Sequence, residues 1–238
     1  MTKIINEITP EHLAKLDQID RNCLEMHIPT PPKTFINMRV SDKDGNPLLD
    51  YSMPSRSWVR NAYNGLAALF LGGKSANYPS ESSYGAGSLR LTSIGNSLST
   101  MSVIPIWWMD GMTGAAANTN YGIVAGTGTT AESFGHYKLA TLIATGNSSG
   151  QLAYQAMSSP APSYDSGTKK WTCAVVRVLN NNSGASISVA EVGIYVQGNA
   201  FSSNAYHMLC RDLLAEAVVV PNGGQLTVTY TIEMTFPA

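Results

Sequence analysis

The sequence predicts a mainly β protein, a β-sandwich with a jelly roll as one form, carrying an N-terminal helix and one further helix. Three observations predict it. Beyond residue 80, short apolar runs alternate with clusters of Gly, Asn, Ser and Pro, the texture of a sandwich or barrel rather than of alternating strands and helices. In "QLTVTYTIEMTF", Leu226, Val228, Tyr230, Ile232, Met234 and Phe236 take one face and Thr227, Thr229, Thr231, Glu233 and Thr235 the other, the period-two pattern of a half-buried strand. Charged residues are only 13% of the chain, their place taken by Gly, Ser, Thr and Asn, which supply turns and the solvent face of strands.

A chain of 238 residues can bury a substantial core, and one main domain is expected. It divides into an N-terminal helical arm with a Pro-rich connector (residues 1–33), a strand pair and helix (34–80), and the β-sandwich (81–238). In the arm, Thr9 can cap a helix, Pro10 suits its first turn, and Leu13, Leu16, Ile19, Cys23 and Leu24 fall at helical spacing. Pro29, Pro31 and Pro32 then forbid a helix and favour a stiff, extended connector. Leu13, Leu16, Ile19 and Leu24 are therefore the candidate face of a docking arm, with a helix folded back on its own domain as the alternative.

A turn around Asp44, Gly45, Asn46 and Pro47 joins two short strands. The second helix places Trp58, Ala62, Leu66 and Leu69 on one face, flanked by Val59, Tyr63 and Phe70, and ends at Gly72 and Gly73. Further strands are expected around Leu89 to Leu91, Val103 to Met109, Gly122 to Ala125, Tyr137 to Ala144, Leu152 to Met157, Trp171 to Leu179, Ile187 to Val196 and Leu209 to Val220.

In "ISVAEVGIYV", Ile187 and Val189 share a parity and Val192, Ile194 and Val196 take the other. A β-bulge near Ala190 and Glu191 would produce that switch. Glu191 then sits at the bend, paired with Arg177 or Arg211 in a structural ion pair that sets register.

No complete catalytic, cofactor or metal site emerges. "FLGGKS" resembles the end of a phosphate-binding loop, but the first glycine of that motif is replaced by Ala68 and the segment ends a helix. "GNSSG" matches G-x-S-x-G with Ser148 as nucleophile, followed by Asp165 and His207 in hydrolase order; its flanks read as two strands around a hairpin turn, not as a strand-to-helix elbow. His12, His27, His136 and His207 lack ligand spacing, and "DKDGN" reads as a turn rather than half a calcium loop. Cys23, Cys173 and Cys210 read as buried free thiols. Trp107 and Trp108, adjacent on a strand, point to opposite faces, one into a core and one to an interface or surface-recognition site for a receptor or carbohydrate. The formal net charge of -1 offers no field for nucleic acid. Neither a signal peptide nor a membrane-spanning run is visible, so synthesis in a cytoplasm without membrane insertion is expected.

The series "GIVAGTGTTAES", "YKLATLI", "LNNNSGASISVAEVGIYV" and "LCRDLLAEAVVVPNGGQLTVTYTIEM", with "SRSWVRNAYNGL" upstream, resembles a pattern in virion structural proteins of tailed bacteriophages, of the capsid-accessory or tail and fibre-associated type. The resemblance covers about residues 50 to 238. It implies a non-enzymatic β-sandwich in a symmetric particle, localised in the virion, with other capsid or tail proteins as partners. It also implies a homo-oligomer, a trimer by analogy. A receptor- or carbohydrate-binding module of the adsorption apparatus is the alternative.

Overall fold

The alternating run near the C-terminal end forms strand β12 (Gln225–Thr235), and the larger sheet is built around it. The computed structural model describes residues 2–28, 30–64, 90–96, 98–100, 112–158, 162–200 and 203–237. Its elements in chain order are β1 (Lys3–Asn6), α1 (Pro10–Glu25), β2 (Lys33–Ser41), β3 (Pro47–Pro54), β4 (Arg90–Thr92), β5 (Leu98–Thr100), β6 (Gly122–Gly126), β7 (Ala153–Tyr154), β8 (Ser163–Asp165), β9 (Lys170–Asn180), β10 (Ile187–Ala200), β11 (Ser203–Val220) and β12. Residues 60–64 are also helical. The protein is thus mainly β, with two helical stretches among the described residues. The strand expected at Val103 to Met109, the second helix beyond residue 64, "FLGGKS", Trp107 and Trp108 lie outside the described residues.

Two compact units share the chain: Met1–Arg56 with Asn147–Ile187 and Val219–Ala238, and Ser57–Gly146 with Ser188–Val218. These divisions differ from the expected boundaries after residues 33 and 80, because pairing partners in each sheet come from distant parts of the sequence.

The first unit holds a sheet of order β1-β3-β2-β12-β9-β7, with β8 also on β9. All its pairings are antiparallel except the edge, where β1 runs parallel to β3. The registers align side chains in rows on one face: Leu49, Val40, Leu226 and Leu179; Met53, Ile36, Tyr230 and Val175. These residues are buried, each large aliphatic stabilising the fold by about 1.5–3 kcal/mol. Between those rows lies Tyr51, Met38, Val228 and Arg177. Arg177 is tolerated on this apolar face because its Nε donates to the Gln155 carbonyl at 3.0 Å and its guanidinium lies 4.9 Å from the Tyr154 ring centroid. The far end of β12 is wetter: Ile232, Met234 and Phe236 are only half-buried.

Thr9 caps α1 by accepting from the His12 N–H, with Pro10 opening the helix, as its sequence predicts. The segment expected as an arm begins as β1 on the sheet edge. The ladder continues through Glu7, whose N–H donates to Ser52, and whose carboxylate takes Arg56 at 2.7 Å and the Tyr51 hydroxyl. Asp20 of α1 pairs with Lys33 of β2. No residue of α1 is fully buried: Leu16, Cys23 and Leu24 are half-covered, while Leu13 and Ile19 are 43% and 44% exposed. The three cysteines are free, with Cys173 and Cys210 buried and Cys23 half-buried.

A second organiser of this unit is Asn181, fully buried in the turn after β9. Its side-chain amide donates to the carbonyls of Ala185 and Val220, both at 2.8 Å, and its side-chain oxygen accepts from the N–H and hydroxyl of Ser183. Its backbone pairs with Gly223 and Gly224. One amide therefore ties the β9–β10 turn to the β11–β12 turn. The second unit contains a three-stranded sheet of order β11-β10-β6 and the pair β4-β5. There β11 is also bridged by Trp58 at Cys210 and by Ser93 at His207.

Asn181→Ala takes the side-chain donor from the buried Val220 carbonyl, so stability should fall by about 1–3 kcal/mol. A urea midpoint within error of the parent would contradict this role.

Candidate functional site

Glu191 lies in β10 directly opposite Gly126 of β6, and its side chain is completely buried. The described pairing runs without a register shift from Glu191↔Gly126 to Tyr195↔Gly122. Every residue from Val189 to Val196 is buried. From Glu191 onward β10 is covered on both faces, which removes the need for alternation there.

A buried carboxylate must be compensated, and four donors do so. Oε1 accepts from the N–H groups of Gly128 (3.1 Å) and Thr141 (2.8 Å); Oε2 accepts from the Ala140 N–H (3.1 Å) and from Arg211 Nε (2.5 Å). Of the two arginines the sequence offers, Arg211 of β11 is the partner, itself 1% exposed. The rest of its guanidinium is equally engaged. Nη2 donates to the Thr130 carbonyl at 2.9 Å and to its hydroxyl, and Nη1 to the Ala131 carbonyl and to His136 Nδ1.

These partners all belong to one loop, residues 127–141, whose ends are closed by the Thr127 N–H donating to the Thr141 carbonyl at 2.9 Å. It is an Ω-type loop packed on its own ion pair. Tyr195 adds a further tie, its buried hydroxyl accepting from the Leu139 N–H at 2.7 Å; burial pushes the phenol up to about 12. Leu213 N–H donates to the Glu132 carboxylate at 2.7 Å.

Two glycines make room for the carboxylate. A Cβ on Gly126 would stand 2.5 Å from Glu191 Oε1 and from the Thr141 carbonyl; one on Gly128 would stand 2.5 Å from Glu191 Oε1 and from the Ala140 Cβ. This corrects the strand expected over Tyr137 to Ala144. Only a bridge at Leu142 and the Ile143 N–H bond to Ala125 run beside β6, because the preceding amides turn inward to Glu191. The strand expected over Leu152 to Met157 is likewise reduced to β7.

The remaining candidates separate. Ser148 is exposed in a bend, with its N–H held by the Gln151 side chain, so "GNSSG" is a loop and not a strand-to-helix elbow. Asp165 accepts from the N–H groups of Gly167 and Thr168, which lower its pKa below the usual carboxylate value. His207 is buried against the Thr92 carbonyl, and desolvation lowers its pKa. Asp42 closes the β2–β3 turn through the amide and side chain of Asn46, with Gly45 at φ 83°. Among the described residues no group of His, Cys, Asp and Glu is arranged to hold a metal ion, and no helix is long and apolar enough to cross a membrane. Comparison of the chain with protein-family models, curated proteins and solved structures finds no match.

Removing one member of a buried ion pair leaves the other uncompensated, so Arg211→Met should destabilise the protein by about 3–5 kcal/mol. Arg39→Met, which removes an exposed pair with Asp50, should change stability by less than about 1 kcal/mol. Equal urea midpoints for the two variants would refute the distinction. Gly128→Ala should lower stability by about 1–3 kcal/mol through overpacking against Glu191; a midpoint shift equal to that of a Gly95→Ala control, exposed and with room for a Cβ, would count against it.

Proposed function

We propose that this chain is a non-catalytic structural component of a bacteriophage particle, at the capsid surface or in the tail and fibre apparatus. The observation that supports a framework role is the use of one deeply buried pair of charges. Both oxygens of Glu191 and all three nitrogens of Arg211 bond to the protein's own groups, mostly backbone. Charges so fully committed position a loop. The phage assignment rests on the likeness of "GIVAGTGTTAES", "LNNNSGASISVAEVGIYV" and the C-terminal run to tailed-phage virion proteins, and those stretches supply Gly126, Gly128, Asn181, Glu191 and Arg211.

In this reading the solvent-facing apolar residues of α1 dock on another virion protein, and copies of the chain associate as a homo-oligomer, a trimer by analogy. Localisation in the virion follows from the same reading. Immunogold labelling and mass spectrometry of purified particles from a culture encoding the chain test it directly. Gold on the head or on the tail supports the proposal, and absence of the protein from particles overturns it.

The docking role has its own test. Leu13→Asp combined with Ile19→Asp changes two residues already exposed, so stability should move by no more than about 1 kcal/mol. Incorporation into particles should be lost. Normal incorporation of this folded double variant would remove α1 from the assembly contact.

A further inference from the structure

We infer that His136 is an acid-sensitive latch on the loop of residues 127–141. His136 Nδ1 lies 3.2 Å from the Ser133 N–H nitrogen and 3.2 Å from Arg211 Nη1. A backbone N–H and a guanidinium can only donate. Nδ1 must therefore accept from both, which fixes the closed loop to neutral imidazole with its proton on Nε2.

A proton on Nδ1 turns an acceptor into a third donor facing two donors. It also sets an imidazolium beside a buried guanidinium. The side chain is only half-buried, so solvent protons reach it. The charged groups around it come from every neighbouring element: Arg211 of β11 and Glu191 of β10, Glu132 of the loop itself, and Arg60, whose Nη2 lies 4.0 Å from the Cβ position of the adjoining Gly135. Arg211 opposes the imidazolium, while Glu191 and Glu132 favour it. Glu191 is already occupied by Arg211 and three amides.

Burial first, and the Arg211 charge second, hold His136 below the usual imidazole value of 6.5. The opened loop restores the ordinary value, so opening takes up a proton. The closed form is fully favoured above pH 6.5 and loses ground as pH falls from there to the lowered value, by up to about tenfold per unit. Below the lowered value no further change comes from this group. Acid thereby releases a segment that carries the exposed Phe134 and frees Arg211 Nη1 from one of its partners.

The test is amide hydrogen exchange on the intact chain, corrected for intrinsic exchange, from pH 7.5 to 5. Protection of Ser133, Ala140 and Thr141 should fall several-fold more on acidification in the parent than in His136→Asn, whose side-chain oxygen accepts both donors without titrating. His207 is present in both proteins, so its own titration cancels. Equal pH dependence in parent and variant would overturn the inference. Should His136→Asn lose the loop altogether, nitrogen NMR of the parent imidazole decides. The expected result is an Nε2–H tautomer at neutral pH whose titration coincides with loop opening; an Nδ1–H tautomer, or titration with the loop unchanged, refutes it.

Discussion

A carboxylate with no access to water is the constraint on which the second unit depends. Leaving Glu191 unpaired would cost several kcal/mol, so the surrounding chain must bring donors to both oxygens. One comes from the neighbouring strand β11, as Arg211, and three come from backbone amides of a single loop. The consequence spreads outward. Gly126 and Gly128 must lack side chains for the carboxylate to fit, and residues 130 and 131 must turn their carbonyls to the guanidinium. A loop that would otherwise carry entropy is held on an internal polar core.

The first unit solves a similar problem with a neutral group. Asn181 is as buried as Glu191, and its amide supplies donors and acceptors to two turns that are distant in sequence. In both units the apolar rows stabilise the sheets, whereas a single buried polar residue determines how the connections run. Hydrophobic burial is non-directional; hydrogen bonds with fixed donor and acceptor geometry are not. Strand content and loop path are thus set by different physics.

That difference explains what could be read in the sequence. The alternation from Leu226 to Tyr230, the Thr9 and Pro10 start of α1, and the Asp42 to Pro47 turn each carry a local signature, and each is found where its residues indicate. Glu191 was conspicuous as a lone acid in an apolar run, and Arg211 was one of two arginines offered to it. The loop was not legible, because most of what binds Glu191 is backbone N–H, which every residue but proline has. Leu139 and Ile143 are buried at loop positions, so "YKLATLI" mimicked a strand. The one usable sign is the pair Gly126 and Gly128, small residues two apart at the end of β6 and the start of the loop, both against Glu191. His136 carried no signal at all, since its role depends on Arg211, far along the chain. β1 carries no local signature for another reason: four residues with the exposed Ile4 have no periodicity.

A structural role for Glu191 and Arg211 implies that the two residues act as one unit. A double-mutant cycle with Glu191→Gln and Arg211→Met, read by urea denaturation, measures this directly. The double variant should lose little more than the worse single variant, a coupling above about 1.5 kcal/mol. Losses that add to within about 0.5 kcal/mol would mean that the charges are independent and that the loop is held by something else.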